Sequence, residues 1–138
     1  MIYDQLPDVI ASPAFNWETG SVQAMLYENA TFDPTHQRPS QVGQWLKKEK
    51  LQGRFVTDDG DLAGLPALFY MVLPERQYQL VLGWDDGRHD ELLLGFFDES
   101  IDGSPLQVTR RGSMFVRPAI EGEGSPPTYG VWLQPVQA

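Results

Sequence analysis

The chain has 138 residues, 41% of them hydrophobic, which suits one folded domain and excludes a disordered chain. Nineteen Asp and Glu outnumber ten Lys and Arg for a net charge of −9, which argues against sequence-independent binding to DNA or RNA and against docking on an anionic membrane. No cysteine is present, so disulfides, thiolate catalysis and Cys-ligated zinc are excluded.

Residues 1–15 carry Ile2, Tyr3, Leu6, Val9, Ile10 and Phe15 around Pro7 and Pro13. Prolines at this spacing disfavour a helix. The segment therefore reads as an extended arm whose apolar side chains lie on its own sheet or on a neighbouring subunit. It also lacks the basic and apolar regions of a signal peptide, so synthesis in the cytoplasm of the producing cell is expected.

Ser21 to Glu28 reads as the first strand, with Val22, Ala24 and Leu26 on one face and Gln23, Met25 and Tyr27 on the other. A loop with the Asp33-Pro34 turn signal follows. Ser40 to Gly53 is the best helix candidate: Ser40 caps it, Val42, Trp45 and Leu46 share a face, three lysines sit near its C-terminus, and Gly53 ends it.

The remainder reads as β structure. Short strands are expected at Arg54–Thr57, Leu65–Leu73, Gln77–Trp84, Glu91–Asp98, Leu106–Thr109, Ser113–Arg117 and Tyr129–Gln134. Turns fall at Asp58-Asp59-Gly60-Asp61, Asp85-Asp86-Gly87-Arg88 and Asp102-Gly103-Ser104-Pro105. Glu121 to Pro127 reads as an exposed loop. Thirteen Gly and eleven Pro, spread along the chain, supply this punctuation. The fold class expected is mainly β: a single-domain β-sandwich or barrel at 16–138 with one short helix, preceded by the extended N-terminal arm at 1–15. No apolar run approaches the about 20 residues of a transmembrane helix.

Few residues point to chemistry. His36 and His89 lie far apart in separate loops, and the acids around His89 suit a solvated hairpin tip better than a metal site. Asp58 to Asp61 lacks the spacing of a calcium-binding EF-hand. No phosphate-binding glycine loop or nucleophile elbow occurs. The expectation is thus no enzyme, no catalytic residue, no cofactor and no metal. The adjacent pair Arg110-Arg111 reads as a charged turn, with a partner's carboxylate as the alternative.

The aromatics say more. Trp17 and Trp132 read as core residues. Phe96 and Phe97 are adjacent in a strand, so they point to opposite faces and require a second covered surface. Self-association, a partner or the N-terminal arm would supply it.

Two stretches resemble a family of small structural proteins of tailed-bacteriophage virions. The first is Phe15-Asn16-Trp17-Glu18-Thr19-Gly20-Ser21-Val22-Gln23-Ala24-Met25-Leu26 with the loop Phe32-Asp33-Pro34-Thr35-His36. The second runs from Tyr78 to Trp84, through Leu92-Leu93-Leu94-Gly95-Phe96-Phe97-Asp98, to Gly103-Ser104-Pro105-Leu106. The segment Val42 to Leu51 departs from the Gly-Tyr-rich connection of that family. The resemblance implies a non-enzymatic virion component, most of all a capsid decoration or cement protein, with a tail, connector or baseplate component as the variant.

The partners expected are the major capsid protein or other virion subunits and further copies of the chain, with no direct nucleic acid and no membrane. The partner-binding residues expected are Ile2, Tyr3, Leu6, Val9, Ile10, Phe15, Arg110 and Arg111. A lectin-like or regulatory binding module is the alternative of another class. Its site would lie on the loops Trp84–Asp90 and Ser104–Gly112, with an exposed Trp84 stacked on a sugar ring.

Overall fold

The computed structural model describes residues 1–58, 62–65, 67–87, 91–99, 103–107, 112–120 and 129–137, with backbone alone at 113, 115, 117–119 and 129–137. Among these residues the chain forms α1 (Leu6–Ala11), β1 (Ser21–Glu28), α2 (Pro39–Val42), β2 (Lys47–Lys50), β3 (Phe55–Val56), β4 (Leu62–Ala63), β5 (Ala67–Val72), β6 (Tyr78–Asp85), β7 (Glu91–Phe97), β8 (Gly112–Ile120) and β9 (Tyr129–Gln137). The fold is mainly β, as the punctuated sequence predicts.

Two antiparallel sheets share one core. The first has the order β2-β1-β6-β7; in the second, β8 is flanked by β5 and β4 and by β9, and β3 extends β4. Alternation in β1 sets the arrangement. Val22, Ala24 and Leu26 face the second sheet, where Phe69, Val72, Met114 and Val116 meet them together with Leu80, Leu82 and Phe97. Met25 and Tyr27 face outward and join a second cluster with Tyr3, Val81, Leu93 and Phe96. Burying each of these large side chains contributes about 1.5–3 kcal/mol.

The outer cluster needs a cover, and the N-terminal segment provides it. The Phe96 N–H donates to the Met1 carbonyl at 2.8 Å, the Tyr3 N–H to the Leu94 carbonyl at 3.3 Å, and Ile2 bridges Gly95. This stub continues the sheet past β7 and satisfies its open edge. Phe32 closes the cover, with ring centroids 5.1 Å from Tyr3 and 5.6 Å from Phe96. A bulge opposite Leu82 and Gly83 leaves Leu94 as an extra residue, which resets the alternation so that Leu94 and Phe97 both reach the inner core.

Residues 1–15 are not extended throughout, because Leu6–Ala11 is helical. Pro7 sits in the first turn, where its missing N–H is no loss. Ser12, just before Pro13, turns extended and stops the helix. The two prolines bracket a short helix instead of preventing one, and Leu6 and Val9 are the residues it buries.

The helix expected over Ser40–Gly53 is also corrected. It lasts only from Pro39 to Val42 and breaks at Gly43, whose φ of 139° no L-residue adopts readily. The following Lys-Lys-Glu-Lys run pairs with β1 from Gln23↔Lys50 to Leu26↔Lys47, and Leu51 is fully buried. Edge pairing and the anchoring of Leu51 outweigh the modest helix preference of Lys and Glu. Charged side chains also make β2 a safe edge against further strand addition.

Arg54 ties the β1 entry to the β2–β3 connection. Its Nε donates to the Trp17 carbonyl at 2.6 Å, and its other nitrogens reach the carbonyls of Leu51 and Gly20. Burial pulls this guanidinium below its ordinary value. Trp17 is buried, as expected, and its indole N–H is shared between the Phe55 carbonyl at 3.1 Å and the Ala63 carbonyl at 2.9 Å.

Candidate functional sites

The residues expected to meet a partner are mostly spent on the chain's own fold. Tyr3 lies in the outer cluster, Leu6 and Val9 lie in the inner core, and Ile2 and Phe15 pack against that core. Among the described members of this set, Ile10 alone is exposed, at 45%. Leu6 and Val9 face the core, and Ile10, about 100° round the helix from Val9, falls at the outer edge of that stripe. Arg110 and Arg111 lie outside the described residues, as do His89, the Asp59 to Asp61 part of the acidic turn and the Glu121 to Pro127 loop. The side chain of Trp132 is likewise not described.

Trp84 does not offer a sugar-stacking surface. It is 6% exposed and makes an edge contact with Phe15, centroids 5.2 Å apart at 83°. Its partner across the pair is Val22, an inner-face residue, so register carries the indole inward. His36 sits beside Asp33, Nε2 to Oδ2 3.6 Å. Asp33 is occupied by Thr35, whose hydroxyl donates at 2.7 Å and whose N–H donates at 2.9 Å, and these bonds hold its carboxyl below the usual range.

Two apolar groups remain on the surface of the second sheet. One consists of Phe55, Val56 and Leu65 around the short β3–β4 pair. The other is Tyr70 and Met71 in β5, 62% and 63% exposed. There the register with β8 shifts between Phe69 and Val72, and Met71 takes a positive φ of 58°. The distortion turns both side chains out while Phe69 and Val72 stay in the core. Alternation alone would have placed Met71 inward with Phe69.

A third feature lies on the outer face of the first sheet, next to the N-terminal cover. An open recess of about 840 Å³ is lined by Ser40, Gln44, Trp45, Leu46, Lys48 and Glu91 among others. Lys48 on β2 and Glu91 on β7 form an ion pair across the two strands between them. Gly83 on β6 makes the crossing possible: a Cβ there would sit 2.8 Å from the Glu91 Cβ and 3.0 Å from the Met25 Cε. A second pair, Arg38 to Asp86 at 3.6 Å, fastens the start of α2 to the same hairpin. The sequence pointed elsewhere for Trp45, to a helix face. The signal that marks it is Gly43 two residues before, which ends the helix and turns the indole out.

Among the described residues, no group of three or more His, Asp or Glu is placed to hold a metal ion, and no helix is long and apolar enough to cross a membrane. Comparison with known proteins returns no matching family model, no matching curated protein and no matching solved structure.

Proposed function

We propose that the chain is a non-enzymatic structural subunit of a tailed-bacteriophage virion, of the capsid decoration or cement kind, that docks through the apolar side chains of its second sheet. The reading draws on the resemblance carried by Phe15–Leu26 and Tyr78–Leu106. The observation that carries it is Tyr70 and Met71, two large apolar side chains turned into solvent by a backbone distortion. Exposed apolar side chains grouped on one face suit a contact surface, and the bulge with its positive φ at Met71 costs stability that a docking contact would offset. The N-terminal segment acts here as an internal cover, so the docking surface moves from residues 1–15 to β5 and the β3–β4 pair. A tail, connector or baseplate position uses the same surface.

The test is co-sedimentation of the purified chain with phage heads lacking it, alongside its native mass. Binding or self-association that Tyr70→Ser weakens at least tenfold, with the fold intact, is the expected result. A monomer that ignores heads, tails and baseplates overturns the proposal.

A further inference from the structure

The recess beside Trp45 has a chemistry of its own, independent of any place in a virion. Trp45 is 40% exposed although it is among the largest apolar side chains, and Leu46 beside it is 51% exposed. Neither joins a core cluster. The Lys48 ammonium lies 5.6 Å from the indole centroid and is held there by Glu91, whose side chain is only 10% exposed. Gln44 and Ser40 add an amide and a hydroxyl at the rim.

Lys48 and Glu91 neutralise each other, so the recess carries no net charge to draw in a cation or an anion, and Lys48 already occupies the cation position at the indole. The ligand that fits is neutral. It presents an apolar face to the indole, and its hydroxyls both donate and accept at its edge, toward the carboxylate, the ammonium, the amide and the Ser40 hydroxyl. A pyranose ring has this pattern: the axial C–H bonds of one face carry partial positive charge and suit the electron-rich face of an indole. The recess volume of about 840 Å³ falls within the range of small-molecule sites and admits a disaccharide. The geometry points to Trp45, Lys48, Glu91, Gln44 and Ser40 as a binding site for a neutral glycan.

The scaffold is preorganised for this. Lys48 and Glu91 are on strands, the Leu46 N–H donates to the Leu26 carbonyl at 2.8 Å, and Gln41 Oε1 accepts from the Arg38 N–H at 2.9 Å, which fixes α2. Weak, millimolar affinity is expected of an open recess with one aromatic platform.

The experiment is a titration of the 15N-labelled full chain with methyl glycosides of glucose, galactose, mannose, rhamnose and N-acetylglucosamine, and with maltose and lactose. Cyclohexanol serves as an apolar control of ring size. The expected result is saturable shifts at the Trp45 indole and at the Ser40, Gln44 and Lys48 amides with at least one sugar at about 10 mM. Trp45→Ala weakens that binding at least tenfold, Trp45→Phe retains part of it, and Glu91→Gln weakens it with the circular dichroism unchanged. Silence with the whole sugar panel overturns the proposal. So does binding that survives Trp45→Ala, or an equal response to cyclohexanol, which would make the recess a general apolar surface.

Discussion

Phe96 and Phe97 are neighbours in β7 and belong to different cores. Phe97 packs between the two sheets with Leu80 and Leu82, whereas Phe96 packs outward with Tyr3, Met25 and Val81. The strand's alternation forces this separation, and the N-terminal segment exists in its folded position because Phe96 needs covering.

Truncating the two rings therefore has different consequences. Phe97→Ala and Phe96→Ala each cost about 3–5 kcal/mol in denaturant unfolding. Only Phe96→Ala also loosens the cover, seen as faster amide exchange of Tyr3 while the β1–β6 amides of the inner core stay protected relative to their global stability.

Removing residues 1–11 deletes the buried Tyr3, Leu6 and Val9 together with the strand-like bonds to β7. The expected outcome is loss of cooperative unfolding or a large drop in melting temperature, measured by calorimetry, rather than a stable body lacking only a binding arm.

Met71→Gly separates stability from docking. The positive φ at Met71 costs a methionine about 1 kcal/mol that glycine does not incur, while glycine's looser unfolded chain offsets part of the gain. Chemical denaturation should show stability unchanged or raised by up to about 1 kcal/mol. Association through β5 should fall, because the exposed thioether is gone.

Arg54→Lys is not conservative. A single ammonium cannot reach the carbonyls of Trp17, Leu51 and Gly20, which the planar guanidinium bonds together. A loss of about 1–3 kcal/mol in urea unfolding is expected, with the Trp17 fluorescence shifted toward that of a wetter indole.

Alkaline pH weakens the outer cluster. Burial, reinforced by the charge of Glu91, pushes the Tyr27 hydroxyl up to about 12, and burial raises Tyr3 still further. Both are raised acids, so their neutral forms are the ones the fold accommodates. Stability is fully present below pH 10.0, the ordinary tyrosine value, and is lost as pH rises from there through about 12. Tyr27→Phe gives up its hydrogen bond to the Pro39 carbonyl at all pH values, yet it should flatten the pH dependence over that window in equilibrium unfolding.

Much of the fold is legible in the sequence. The two faces of Ser21–Glu28, the burial of Trp17, and the strands around Asp85-Asp86-Gly87 follow from local alternation and turn chemistry, which depend on neighbours in sequence. Where local signals do not settle the outcome, a long-range partner decides it. Lys47 to Lys50 became a strand because β1 had an open edge. Trp84 lies inward because its cross-strand partner is Val22. Of the two places open to the N-terminal apolar residues, the chain's own sheet or a neighbouring subunit, the structure uses the first, where Tyr3 covers Phe96.

The acidic, cysteine-free, turn-rich sequence by itself determined a mainly β chain with two differently facing phenylalanines in one strand. Only the tertiary structure decided which apolar side chains stay in water. Tyr70 and Met71 are turned out by a bulge, and Trp45 by a broken helix beside the Lys48–Glu91 pair. Exposure is the property sequence encodes least directly, because a side chain's burial depends on which distant surface reaches it first.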